Sequence, residues 1–325
     1  MINLQPKEKF ILALEGKQPP GRVPHFELVF FLTMEAFGVL HPTHRHFEQW
    51  GQMSATEKDL HLKDIAHTYL KIARHYEHSA IFLQSADIWQ EKVSEDTLKI
   101  LDLLRSADDQ YCLMIHGDRT WAIPDGSEMM AFITKISEKP QQLKDEAQEM
   151  IDDALDKAVI FKKHGALDCF ALCSDYCLNA GPFLSPQMFD EFVQPYLVQL
   201  ISGYRELGFY VIKHTDGNVM PILDRLVAAQ PHAIHSLDPQ GGVDMAEVKR
   251  RVGDRVCLIG NVNCGLMDTG TDEEVIASAR YALNNGMPGG GYIFSTSNCI
   301  YTGMPLHRYD LILDVWRKEG NYPES

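Results

Sequence analysis

Short apolar runs alternate along the chain with polar or glycine-containing turns and with longer stretches of helical periodicity, the pattern of repeated β/α units. The runs fall at 22–30 (RVPHFELVF), 80–83 (AIFL), 111–115 (YCLMI), 167–173 (LDCFALC), 209–213 (FYVIK), 233–237 (AIHSL), 256–260 (VCLIG) and 291–295 (GYIFS). Several intervening helices have legible ends. Ser185 before Pro186 is an N-cap with proline at the first helical position, Pro195 should kink that helix, and Gly208 should stop it. Thr271 with Glu274 makes a capping box for a helix ending near Gly286, and the periodic stretch 141–164 ends at Gly165. About eight strands, each followed by a helix and with no linker between halves, predict an α/β fold: one (β/α)8 TIM-type barrel over 1–325. A helix at 6–14 and the histidine- and aromatic-rich stretch 31–72 form an N-terminal helical extension or cap within 1–75. An open doubly wound sheet is the competing arrangement. Its dinucleotide fingerprint is missing, because Gly289, Gly290 and Gly291 precede a strand instead of following one ahead of a helix.

Composition narrows the partners. The 325 residues hold 30 Lys and Arg against 45 Asp and Glu, a net charge of −15, so the summed field repels nucleic-acid backbones and anionic membrane surfaces. Neither nucleic acid nor membrane is an expected partner. No uncharged apolar run reaches the about 18 residues that a membrane span needs. The opening MINLQPKEKF lacks the apolar core of a secretory signal. Seven cysteines, an odd count in a chain this large, suit free thiols, and a cytoplasmic location is expected.

In a barrel the working residues stand at strand C-terminal ends, where the loops converge on one mouth. Those positions offer Glu27, Asp87, His116 with Asp118, Ser174 with Asp175, His214 with Asp216, His235 with Asp238, Asn261, and Asn298 with Cys299. The sharpest local pattern is KHTDGN at 213–218, directly after an apolar strand. His214 and Asp216 share parity and face one side, either as a hydrogen-bonded acid pair or as two metal ligands, since imidazole nitrogen and carboxylate oxygen both bind zinc. The other reading makes Asp216-Gly217 a turn and Asn218 a helix cap. Cys169, Cys173 and Cys177 do not follow a zinc spacing, and Cys169 and Cys173 read as small apolar groups on one face of a strand. Asp175 ends an apolar strand and must lie in the mouth or cap a backbone group. His41, His44 and His46 read as solvated, and His61, His67, His75 and His78 as one edge of a helix. Trp89, Trp121, Tyr176 and Tyr301 could wall a flat substrate or simply cover the rim.

The segments IKHTDGNVMPIL (212–223), VCLIGNVNCG (256–265), GGGYIFSTSNCIYTGMP (289–305) and SDYCLNAGPFLSPQMFDEFVQPY (174–196) resemble the uroporphyrinogen decarboxylase superfamily. The resemblance runs through nearly the whole chain and implies a uroporphyrinogen decarboxylase-like barrel with its site at the strand C-termini. The superfamily holds decarboxylases and also methyltransferases that move methyl groups to or from a corrinoid, some with zinc. Decarboxylases carry an arginine-rich stretch near the N-terminus for the substrate carboxylates, whereas this chain reads GRVPHFELVFF with only Arg22. Thiol-activating methyltransferases carry His-x-Cys at strand five and a further Cys at strand eight, where this chain has His214-Thr215-Asp216 and Asn298 beside Cys299. Harder ligands, or none, replace the thiolates.

The resemblance therefore implies an O-demethylase-type methyltransferase. It would pass a methyl group from a methoxylated aromatic, or a similar small methyl donor, to the Co(I) of cobalamin on a separate corrinoid protein, because no D-x-H-x-x-G corrinoid motif is present. His214 and Asp216 would supply a proton or hold a Lewis acid such as zinc for the leaving oxygen. Glu27 and Asp175 would orient the ether or relay the proton, completing the catalytic set. Asp87, His116, Trp121, Tyr176, Asn261, Asn298 and Tyr301 would bind substrate. Two alternatives remain. A decarboxylase would gather Arg22, Arg119 and Lys213 at the mouth, and a non-catalytic barrel would only bind a tetrapyrrole.

Overall fold

A computed structural model describes residues 4–45, 48–84 and 88–323. Seven strands form one parallel sheet in chain order: β1 (Ala80–Leu83), β2 (Cys112–His116), β3 (Cys169–Leu172), β4 (Tyr210–Thr215), β5 (Ala233–Ser236), β6 (Cys257–Val262) and β7 (Tyr292–Thr296). Helices connect them, as in a TIM-type barrel. The predicted first strand is the exception. Residues 22–30 take the eighth place between β7 and β1 but touch their neighbours only at points: Phe294 N–H donates to Pro24 O (2.9 Å), Phe26 N–H to Phe294 O (3.3 Å) and Ser79 N–H to His25 O (2.7 Å). Pro24 has no N–H to give, so a continuous ladder is interrupted there.

Parity sorts the side chains into two layers. One set points into the barrel: Ala80, Phe82, Cys112, Met114, Cys169, Ala171, Ile212, Ala233, Cys257, Ile259 and Ile293, with Phe26 from the irregular segment. Helix Pro6–Leu14 plugs the strand N-terminal end of this interior with Phe10, Ala13 and Leu14. The small residues on β2, β3 and β5 leave room for these larger ones, as close packing requires. The alternate set, including Leu113, Phe170, Val211, Ile234, Leu258 and Phe294, packs beneath the helices.

The helix ends follow their sequence signals. Ser185 accepts from Met188 N–H, the helix breaks at Val193 just before Pro195, Thr271 and Glu274 form their capping box, and Gly165 ends Pro140–His164 in the left-handed region. Two histidine readings are corrected. His41 is buried among Phe31, Tyr69 and His44 and accepts from Thr43 N–H, with burial pushing its imidazole down to about 3. Helix Ala55–His75 ends before His78, which is buried with Nε2 3.1 Å from Tyr309 OH. His46 lies outside the described residues. None of the seven cysteines is paired. Among the described residues no helix is long and apolar enough to cross a membrane.

Candidate active site

Strand β4 carries Ile212 inward, and two further steps along the same face bring His214 and then Asp216 to the C-terminal mouth. Asp175, beyond the end of β3, joins them. His214 Nε2 lies 3.9 Å from Asp175 Oδ1 and 3.7 Å from Asp216 Oδ1, and one ligand atom from each of the three residues falls within 4.8 Å of the others. The sequence pattern disclosed two candidate ligands; the fold brings a third. Asp216 is held on all sides: its N–H donates to Asp175 Oδ1 (2.9 Å), Ser236 Oγ donates to its Oδ1 (2.7 Å), and Asn298 Nδ2 donates to its Oδ2. Ser236 reaches it from a strained backbone with φ of 87°, a conformation that costs a non-glycine residue about 1–3 kcal/mol and is found mainly at functional sites. Burial raises the Asp216 carboxyl above its ordinary range against the pull of His214, with Asp175 adding to the rise. Asp238 is raised by burial as well.

The backbone beneath Asp175 is fixed by a buried ion pair. Lys213 Nζ donates to Asp118 Oδ2 (2.7 Å) and to Ser174 O (2.8 Å), while Ser174 N–H donates to the same Asp118 oxygen (2.9 Å). Both peptide groups of Ser174 are thus tied to one pair of charges. Asp118 also accepts from Thr120 N–H and Oγ (3.0 and 2.6 Å), and Thr120 meets the Tyr176 hydroxyl at 2.5 Å. Tyr176 N–H in turn donates to Thr215 Oγ1 (2.9 Å). On the next loop Gly217 has φ of 76°, and Asn218 N–H donates to Leu178 O (3.0 Å) in the small hairpin Cys177–Leu178 and Gly181–Pro182.

Behind His214 the polar contacts continue into the barrel. His214 Nδ1 is 2.7 Å from His235 Nδ1, His235 Nε2 is 3.4 Å from Ser295 Oγ, and Ser295 Oγ donates to Glu27 Oε2 (3.1 Å). Glu27 and His235 are buried, and burial lowers the His235 imidazole while pushing the Glu27 carboxyl up to about 8. Thr296 Oγ1 lies 2.5 Å from Glu27 Oε2 and 2.7 Å from Asn298 O, so Glu27 Oε2 receives hydroxyls from both Ser295 and Thr296.

The other expected site residues distribute unevenly. Asn298 reaches the cluster through Asp216. Asn261 is buried with its amide donating to Leu237 O (3.0 Å). His116 meets the Phe82 ring edge-on at 4.6 Å between centroids. Trp121 packs on Phe132 and donates to Leu143 O (3.4 Å), and Tyr176 is buried over the Lys213 ammonium (4.1 Å), so both serve the helix layer. Tyr301 is exposed on the loop after β7. Asp87 lies outside the described residues. His235 stood among the strand-end candidates without an assigned role and Ser295 was not among them, although the inward parity of β5 and β7 held the signal.

The gathered cations of the decarboxylase alternative do not assemble. Lys213 is buried in its ion pair; Arg119 pairs with Asp153 (3.6 Å) and stacks over Trp89; Arg22 pairs with Glu77 (3.1 Å) and covers Trp316 near Ser79 and Tyr111, at the strand N-terminal end.

The uroporphyrinogen decarboxylase (URO-D) family profile matches residues 127–318, the stretch that carries Asp175, His214, Asp216 and His235. The chain belongs to the uroporphyrinogen decarboxylase family. A curated member, the uroporphyrinogen decarboxylase of Thioalkalivibrio sulfidiphilus (strain HL-EbGR7), is 25% identical over 147 residues, 43% of this chain and 40% of that relative's length. The chain therefore matches less than half the length of that family member. Among solved structures, a methyltransferase from Methanosarcina mazei superposes with a TM-score of 0.70 and 16% identity, covering 97% of this chain and 99% of the other. That likeness shows a shared fold over nearly the whole chain, including the N-terminal part that the family profile leaves unmatched.

Proposed function

We propose that the protein is a corrinoid-dependent methyltransferase that demethylates a methoxylated aromatic or similar small methyl donor and passes the methyl group to Co(I) on a separate corrinoid protein. The observation that carries this reading is the Asp175–His214–Asp216 cluster at the mouth, with Arg22, Arg119 and Lys213 all engaged elsewhere. A substrate bearing many carboxylates needs a cationic pocket, and this mouth is acidic. In the transfer, the Co(I) electron pair forms the bond to the methyl carbon as the methyl–oxygen bond breaks. The oxygen leaves with its pair and takes up a proton.

The three side chains fit a divalent cation such as zinc. They offer one imidazole nitrogen and carboxylate oxygens, at separations that bonds of about 2.0–2.2 Å can share. Such a cation, when bound, supplies Lewis-acid stabilisation of the leaving oxygen. The protein's own groups do the rest. Where no cation is bound, Asp216, its carboxyl raised by burial, is instead the group placed to pass a proton to the departing oxygen. Ser236 and Asn298 orient Asp216, and the Lys213–Asp118 pair orients Asp175.

The test mixes the purified protein, under anoxia, with a corrinoid protein reduced to Co(I) and a panel of methoxyarenes, and follows the visible spectrum. Conversion to the methyl-Co(III) spectrum with a donor is expected, and its loss in His214→Ala. Carbon dioxide release from a porphyrinogen without corrinoid, and a flat spectrum with methoxyarene, amine and thiol donors, would overturn the reading.

A further inference from the structure

His214 and His235 meet through their Nδ1 atoms at 2.7 Å, so one ring carries the shared hydrogen and the other accepts it. The groups behind decide which. Ser295 has one hydroxyl hydrogen, and it is spent on Glu27 Oε2 at 3.1 Å. Toward His235 Nε2, 3.4 Å away, Ser295 can therefore only accept. That places the His235 hydrogen on Nε2 and leaves its Nδ1 as the acceptor for His214 Nδ1–H. His214 Nε2 is then a bare lone pair facing the mouth. The distances on that side agree. At 3.7 and 3.9 Å from the two carboxylates, Nε2 makes no hydrogen bond to either, as it would if it bore a hydrogen aimed at them. A chain of the opposite sense would take Ser295 away from Glu27 and leave an Nε2–H between two carboxylates it does not reach.

We propose that His235 is a positioning residue that locks His214 in the Nδ1–H tautomer, with Ser295 and the buried Glu27 anchoring the relay from behind. The inference rests on the reading of Asp175, His214 and Asp216 as a cation site. It moves Glu27 from the reacting groups to the far end of a hydrogen-bond line that begins at His214. It also explains why a carboxyl and an imidazole stand buried in an otherwise apolar barrel interior: the free imidazole nitrogen is fixed by what its other nitrogen bonds.

The test uses the full chain, freed of metal and labelled with 15N-histidine, and reads the His214 tautomer from long-range 1H–15N correlations. Zn2+ affinity is measured alongside by competition with a chromophoric chelator. The wild-type chain should show His214 protonated at Nδ1. His235→Phe, which fills the space without an acceptor, should shift His214 toward the Nε2–H tautomer and weaken Zn2+ binding about 10–100-fold. His235→Gln, whose amide carbonyl can accept, should restore most of both. Ser295→Ala, which leaves both rings in place, should give a mixture of tautomers, and it decides the matter if His235→Phe does not fold. Wild-type His214 protonated at Nε2, or a tautomer unmoved by both His235→Phe and Ser295→Ala, overturns the proposal. The Nδ1–H tautomer in a chain that binds no Zn2+ upholds it and instead overturns the cation-site reading.

Discussion

Lys213→Met isolates the ion pair beneath the site. In the wild-type chain the ammonium is wholly buried, bonded to Asp118 and to the carbonyls of Ser174 and Leu172 (3.4 Å), and lies over the Tyr176 ring. Methionine fills nearly the same volume, so little cavity forms; the damage is a carboxylate left buried without its counter-charge. Breaking such a pair costs about 3–5 kcal/mol. Thr120 and Ser174 still donate to Asp118, which favours the lower half of that range. Unfolding entropy for 325 residues is about 0.7 kcal/mol per kelvin, so the melting temperature should fall by about 4–6 °C in calorimetry. Asp118→Asn in the same chain removes the orphaned charge and should recover most of the loss. The pH dependence has a definite sign. Burial alone would raise the Asp118 carboxyl, and the Lys213 charge and hydrogen bonds outweigh it, holding it below the ordinary range. Its contribution is therefore present above the unfolded value of about 3.9 and is lost as pH falls through the lower folded one. A melting temperature unchanged in Lys213→Met, or one that Asp118→Asn fails to restore, would refute the argument.

Glu27→Gln should stabilise the fold at neutral pH. With its carboxyl raised to about 8, the folded state keeps a proton that the unfolded chain releases above about 4.3, so stability is fully present below that value and declines toward pH 8. The gain of the variant over wild type, read by urea unfolding, should grow with pH to about 4 kcal/mol at pH 7, and a flat difference would contradict it. Asp216→Asn should lower methyl transfer at least about 100-fold with the fold intact by circular dichroism, the scale of a lost proton donor. Gly217→Ala meets both a φ of 76° and the backbone of Cys177 and Leu178, at 2.7 Å from the added Cβ. It should cost about 2–3 kcal/mol and weaken Zn2+ binding together.

Much of the barrel was legible because each strand is a short apolar run closed by a turn signal, and seven runs fold as strands close to their expected bounds. The run at 22–30 departs because one proline withholds a ladder donor, a detail that apolar patterning does not weigh. His214 and Asp216 were legible from their parity and their place after a strand. Lys213 could have been placed by the same rule: adjacent to His214, it points to the opposite face and cannot share the mouth. The His214–His235 contact was not legible, since it depends on the register that sets His214 beside His235 across β4 and β5. Nor was the depth of Glu27, because a sequence shows which face a residue takes but not how many layers cover it.

The hairpin contact of Asn218 with Leu178, the bond from Tyr176 to Thr215 and that from Asp216 to Asp175 stitch the loops after β3 and β4 into one body. Among the described residues, no hydrogen bond to Asp175, His214 or Asp216 comes from the N-terminal stretch 31–53. Residues 31–53 thus stand outside the bonds that hold the reacting side chains. A stretch so uncoupled can vary among relatives while the reacting floor is inherited whole.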